Sequence, residues 1–270
     1  MSTKKKFLSG MILSAALLLG ACSNPGKVED KEKSKQNSTA LVESTIEKFG
    51  DKSKDIQKFK AKIDATNSIL VKDQLSETQQ FLDVDVDFKD KEIHLKNKSK
   101  SSKKDEVPAT EMYVKDNKMY LNAFGKWMTS ELDPSLDVFR EAADIQGLTG
   151  VYNEIKGLKK DLKLKEKDNV VTMETKNLKD IELDQITLDS IIGSENSKKN
   201  PKVKTYTVKI DLDKNTYLPK TLERNVSIDV NGVIYTSKAI TQYTDFSNVD
   251  IIVPEDALKA TEAIPEEDNK

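Results

Sequence analysis

Leu82-Asp83-Val84-Asp85-Val86-Asp87-Phe88 alternates apolar residues with carboxylates, one for one. Successive side chains of a strand point to opposite faces, so this stretch predicts a half-buried strand with one apolar and one charged face. The same rhythm precedes it. Phe59, Ala61, Ile63 and Ala65, continued by Ile69 and Val71, take one side, while Lys58, Lys60, Lys62 and Asp64 take the other. Downstream, Ile93 and Leu95 follow a turn at Lys89-Asp90-Lys91. Met112 and Val114 then lead through Lys115-Asp116-Asn117-Lys118 into Met119-Tyr120-Leu121, the pattern of a hairpin. Trp127 opens another short strand. Residues 97–106, rich in Lys and Ser, are expected as a mobile hairpin tip.

The C-terminal third repeats the period. Residues 203–212 alternate, Asp213-Lys214-Asn215 turns the chain, and 218–230 pair with 233–243 across Asn231-Gly232, a type I′ hairpin signal. Ile251-Ile252-Val253-Pro254 precedes a short helix at 255–261. Between the two strand-rich parts the period changes. Asp133-Pro134 opens a helix with Leu136, Phe139, Ala142 and Ala143 on its apolar face. After Gly147 and Gly150, the residues Val151, Ile155 and Leu158 predict a second helix. A strand pair at 162–166 and 170–176 and a helix at 184–192 complete the middle. Near the start, Leu41, Val42, Thr45, Ile46 and Phe49 share a helical face, with Gly50 placed to stop the helix. The fold class is therefore α+β, a long antiparallel sheet interrupted by helices.

The N-terminus is a leader. Lys4, Lys5 and Lys6 precede an apolar run over 7–19, too short to span a hydrocarbon core of ~30 Å. Leu19, Gly20, Ala21 and Cys22 resemble the lipobox of bacterial lipoproteins, which implies cleavage after residue 21 and acylation of the Cys22 thiol. A secretory leader with an incidental cysteine is the alternative. Cys22 is the only cysteine, so no disulfide forms within a monomer. Residues 23–38 hold one aliphatic residue, Val28, and are expected as a disordered tether after Cys22. The tail 262–270 is likewise expected to be disordered and acidic.

Composition narrows the function. The leader removes three lysines and no carboxylate from totals of 44 basic and 46 acidic residues, leaving 41 against 46, a net charge of −5. Lys alternates with Asp and Glu almost throughout, which reads as a solvated surface and not a nucleic-acid footprint. Lys198, Lys199, Lys202 and Lys204 form a small basic cluster that reads as a solvated turn. Asp83, Asp85 and Asp87 share a strand face, but without a Gly-bearing loop they read as a charged face opposite Lys58, Lys60 and Lys62, not a Ca²⁺ site. His94, the only histidine, is expected on a wet strand face. With no metal-ligand spacing, phosphate loop or nucleophile elbow, the chain reads as a non-enzyme without cofactor or metal.

The order of leader, lipobox, tether, helix, meandering strands, central helices and long closing strands resembles the LolA-like lipoproteins. These include the LppX/LprG-type lipid carriers and a poorly characterised Gram-positive group. Local stretches carry the likeness: Met119-Tyr120-Leu121 ahead of Gly125-Lys126-Trp127, Asp213-Lys214-Asn215-Thr216-Tyr217-Leu218-Pro219, and Val253-Pro254-Glu255-Asp256-Ala257. The resemblance implies a LolA-like domain over 39–261, a curved antiparallel half-barrel wrapped around helices with an apolar cavity for acyl chains. Candidate cavity residues are Leu136, Phe139, Ala143, Leu148 and Val151, with Trp127, near Phe124 and Tyr120, at its mouth. A filled core is compatible with the same residues. The expected protein is a monomer, lipid-anchored on the extracytoplasmic face of the cell membrane. It binds a lipid or other apolar small molecule, or serves as a non-catalytic envelope interaction or scaffold protein.

Overall fold

The computed structural model describes residues 32–102, 104–132, 147–183 and 185–262. The elements run α1 (Glu32–Ser53), β1 (Lys58–Val71), β2 (Gln74–Asp87), β3 (Glu92–Ser101), β4 (Lys104–Lys115), β5 (Lys118–Ala123) and β6 (Lys126–Glu131). They continue with α2 (Leu148–Gly157), β7 (Leu162–Lys167), β8 (Val170–Thr175), α3 (Gln185–Ile192), β9 (Lys202–Asp213), β10 (Pro219–Val230), β11 (Val233–Asp245), α4 (Glu255–Leu258) and β12 (Thr261–Glu262). The strands form one curved sheet in the order β12-β6-β5-β4-β3-β2-β1-β11-β10-β9-β8-β7. Every pairing is antiparallel except β12 with β6. The architecture is the α+β half-barrel that the sequence implied.

Register confirms the alternation. Lys58, Lys60 and Lys62 lie directly across from Asp87, Asp85 and Asp83 on the outer face. Phe59, Ala61 and Ile63 meet Val86, Val84 and Leu82 on the inner one. Opposite charges at directly paired positions attract across the strands, so one face stays wet while the other packs. Asn231 and Gly232 have φ of 53° and 84°, the type I′ turn their sequence demands.

The inner face carries two apolar layers. In the first, Val42, Ile46 and Phe49 of α1 and Val151 and Ile155 of α2 pack on Met173, Tyr206, Val208, Ile210, Leu222 and Ile228 of β8–β10. In the second, β1–β5 contribute Phe59, Ala61, Ile63, Leu82, Val84, Val86, Ile93, Leu95, Met112, Val114, Met119 and Leu121. On the outer face, Val249, Ile251, Val253 and Ala257 of the C-terminal segment cover Tyr113 and Tyr120. That segment ends as β12, which occupies the β6 edge and removes a row of unpaired backbone groups.

Several expectations change. The α1 helix begins at Glu32, inside the span 23–38 read as a tether. Once Val42, Ile46 and Phe49 anchor the helix, each added residue gains one backbone hydrogen bond. Gly50 does not stop the helix, which runs on to Ser53. It instead admits Tyr152, since a Cβ at Gly50 would lie 2.4 Å from that ring. The span 97–106 is not a loop: β3 extends to Ser101 and β4 starts at Lys104. Glu262, assigned to the tail, pairs with Thr129. The helix expected at 133–146 lies outside the described residues.

Candidate functional site

Strand register sorts the inner face of β1–β5 into rows. Phe59, Val86, Ile93, Val114 and Met119 form one row, and Ala61, Val84, Leu95, Met112 and Leu121 the next. Every member of both rows is apolar and buried. The third row is Ile63, Leu82, Asn97 and Thr110, half polar. Beyond it come Gln80 with Ser99, then Asn67 and Thr78 with Ser101. Asn67 Nδ2 donates to Gln80 Oε1 at 3.2 Å, and Ser237 Oγ donates to Asn67 Oδ1 at 2.6 Å. Among the described residues, Asn97 Oδ1 is buried without a hydrogen-bond partner. The face thus passes from purely apolar rows to mixed ones, with Ala65 beside Gln80 and Val107 beside Ser99, and its last row reaches Lys104 across from Ser101. An unpaired buried acceptor costs about 1–3 kcal/mol, which makes Asn97 a place where a donor would be welcome.

Next to this surface the inner face holds one buried ionic cluster. Glu154 of α2, 1% exposed at its side chain, faces Arg224 of β10, 8% exposed. Arg224 donates from Nε to Glu154 Oε2 at 3.0 Å and from Nη2 to the same oxygen at 2.5 Å. The Tyr206 hydroxyl donates to Glu154 Oε1 at 2.5 Å. Burial alone would lower the Arg224 pKa, but the Glu154 carboxylate beside it raises it instead. Burial pushes Tyr243, which bridges the two apolar layers, up to about 12. The cluster fixes α2 against the sheet.

Sequence periodicity contained a signal for this cluster that the reading above did not use. Arg224 stands in the apolar phase of Leu222, Val226, Ile228 and Val230, and it is one of only two arginines in the chain. Glu154 likewise falls on the helical face of Val151, Ile155 and Leu158.

On the outer face His94 is not freely wet. Its Nδ1 lies 3.4 Å from Asp85 Oδ2, its Nε2 lies 2.9 Å from Glu111 Oε1, and its ring stacks on Tyr113 at 4.3 Å. Tyr113 also donates to Glu111 at 3.0 Å. Burial opposes the imidazolium, but the two carboxylates outweigh it and raise the His94 pKa above 6.5; Glu111, whose burial acts the other way, is lowered. A raised folded-state pKa means that stabilisation is full below 6.5 and is lost as pH rises through the folded value. Urea midpoints of the native chain should therefore fall between pH 6 and 8.5, with a smaller decline in His94→Gln. Equal declines in both would show that the cluster contributes nothing.

The outer face also bears a groove of about 660 Å³ lined by Lys62, Asp64, Phe81, Asp83, Lys96 and Lys98. Lys62 and Lys96 flank Asp83 in register, whereas Lys98 lies across from Phe81. Among the described residues no cluster of His, Cys, Asp and Glu is arranged to hold a metal. No described helix is long and apolar enough to cross a membrane.

The structure separates the residues expected to share a cavity. Leu148 and Val151 are buried on the inner side, with Val151 in the α1–α2 layer. Trp127 lies on the outer face, 5.9 Å from the Tyr113 ring and packed with the C-terminal segment. Tyr120 is buried there too, while Phe124 is 79% exposed at a turn with positive φ. Leu136, Phe139 and Ala143, and Leu19, Gly20, Ala21 and Cys22, lie outside the described residues. The Asp213 carboxylate, within a stretch that carried the resemblance, is a turn anchor. The N–H groups of Thr216, the Lys220 ammonium and the N–H of Asn215 hold its pKa down at about 2.

Residues 41–262 match the model of a family described as a family of unknown function, DUF6612. No curated protein matches the chain. Among solved structures it is similar to LprF from Mycobacterium bovis, with a TM-score of 0.42 and 11% identity over 80% of this chain and 98% of that one. It is also similar to a beta-barrel-like protein of domain of unknown function DUF1849 from Brucella abortus, with a TM-score of 0.26 and 12% identity over 70% and 100% of the two chains.

Proposed function

We propose that this chain, which belongs to the DUF6612 family of unknown function, binds an amphiphile on the inner face of β1–β5 as a lipid-anchored protein of the cell surface. The observation that carries this reading is the gradient along that face. Two rows are wholly apolar, and the rows beside them bring in amide and hydroxyl groups at Asn97, Thr110, Gln80, Ser99, Asn67 and Thr78. Such a surface suits an acyl chain joined to an uncharged, hydrogen-bonding head, with Asn97 Oδ1 accepting from it. Cys22 would supply the membrane anchor through its acyl chains, and no catalytic step is assigned.

A second reading has its own support. The α1–α2 layer is filled, with Phe49, Val151, Ile155, Met173, Ile210 and Leu212 each 0% exposed. If β1–β5 are filled in the same way, the protein is an envelope interaction or scaffold component.

Native mass spectrometry with organic extraction distinguishes the two. The probe is the chain carrying Cys22→Ser, in which any acyl species is noncovalent. Stoichiometric neutral-headed acyl adducts are expected, reduced by Asn97→Leu. An empty chain that also takes up no fluorescent acyl probe would end the binding reading and leave the scaffold one.

A further inference from the structure

At one end of the sheet the alternation of apolar and charged faces stops. Ile69, Leu70 and Val71 are consecutive on β1, and their register partners on β11 are Tyr235, Ile234 and Val233. Leu75 of β2 pairs with Leu70. On β1 and β11 inner and outer faces are therefore both apolar at this end, with Gln74 and Ser76 of β2 and Asp229 of β10 as polar neighbours, whereas farther along Lys62 and Asp83 occupy the outer face. The side chains are in the open: Leu75 is 58% exposed, Val71 44% and Ile69 41%. The β1–β2 turn projects past the β3–β4 end, since β3 reaches β2 only as far as Thr78, opposite Ser101, and Ser102 donates to the Glu77 carbonyl. Beside it lies the Asn231-Gly232 turn of β10–β11, level with Val71 through Val233.

Lysines flank these tips. Lys72 sits beside Asp73 in the β1–β2 turn, and Lys198, Lys199, Lys202 and Lys204 are exposed where the chain enters β9, beside the end of β10. Asp229 lies between two of them, paired in register with Lys202 and 3.3 Å from Lys204. A ribbon apolar on both faces suits a medium that surrounds it more than a protein groove, which would cover one face. Aliphatic tips ringed by lysines match the chemistry of an anionic membrane interface.

We propose that the paired tips of the β1–β2 and β10–β11 hairpins dock onto an anionic lipid bilayer. The aliphatic side chains enter the headgroup boundary and the lysines meet lipid phosphates. The polar rows of the inner face lie nearest the tips, so docking brings that end of the face to the bilayer surface. The surface is independent of whether the inner face holds a ligand.

Co-sedimentation with vesicles tests this, using the Cys22→Ser chain to remove the covalent anchor. Binding to vesicles of equal phosphatidylcholine and phosphatidylglycerol is expected, weakening with salt and with pure phosphatidylcholine. Val71→Ser/Leu75→Ser should bind at least tenfold more weakly. Lys199→Glu/Lys202→Glu should lose the preference for phosphatidylglycerol. Ile252→Ser/Leu258→Ser, at exposed apolar positions on the C-terminal segment, should bind as the parent does. Parent-like binding by the tip variant, or no vesicle binding by the parent, overturns the proposal. So does a parent dimer in sedimentation velocity that the tip variant dissolves, because the tips would then serve a second copy. Acyl adducts retained by the tip variant separate this surface from the inner-face reading.

Discussion

Arg224→Met should lower the free energy of unfolding by about 3–5 kcal/mol, because it leaves the buried Glu154 carboxylate with the Tyr206 hydroxyl as its remaining neutral donor. For a domain of this size the loss corresponds to a fall of roughly 10 °C in melting temperature. The magnitude comes from the uncompensated charge and not from the lost attraction. Taking both ions out of water already offsets most of what their contact contributes. The double variant Glu154→Met/Arg224→Met should therefore be more stable than Arg224→Met, despite removing more contacts. Calorimetry of the two variants checks the order. A double variant less stable than the single would mean that the uncompensated carboxylate is not the source of the loss, contrary to this account.

Val84→Asp should unfold the domain near neutral pH, while Asp83→Val, one residue earlier, should leave it folded. Val84 is 3% exposed and has apolar neighbours on both sides in register, Ala61 and Leu95. Asp83 points to the outer face between Lys62 and Lys96. A carboxylate at position 84 would be buried without a partner, a cost of several kcal/mol for the charged form. The sign with pH follows. Burial raises the folded-state pKa above the unfolded ~3.9, so the penalty grows as pH rises through that range and is smallest in acid. Urea titrations of Val84→Asp at pH 4 and pH 7, each compared with the parent, should show the larger deficit at pH 7. Parallel deficits at both values would place residue 84 in water.

These two predictions divide along what sequence reading can reach. Alternation at 58–65 and 82–88 told the two faces of β1 and β2 apart, because a strand repeats every two residues whatever it packs against. Asn231-Gly232 specified its own turn, since both positions need positive φ. Leu19, Gly20, Ala21 and Cys22 likewise form a local pattern, which resembles a lipobox. Three-dimensional partners are another matter. Glu154 and Arg224 are far apart in the chain, and nothing local to either tells which residue neutralises it. Gly50 looked like a helix stop because the chain near it carries no trace of the Tyr152 ring that needs the space. Trp127 sits on the outer face because strand pairing fixes its phase against Asn122 and because residues 249–257 return to cover Tyr113 and Tyr120. The sequence by itself determined the strands, their wet and dry faces and the turns, all set within a few residues by backbone geometry. The tertiary structure alone decided which buried charges meet, where apolar rows become polar, and that two aliphatic hairpin tips end side by side, because long-range register brings those residues together.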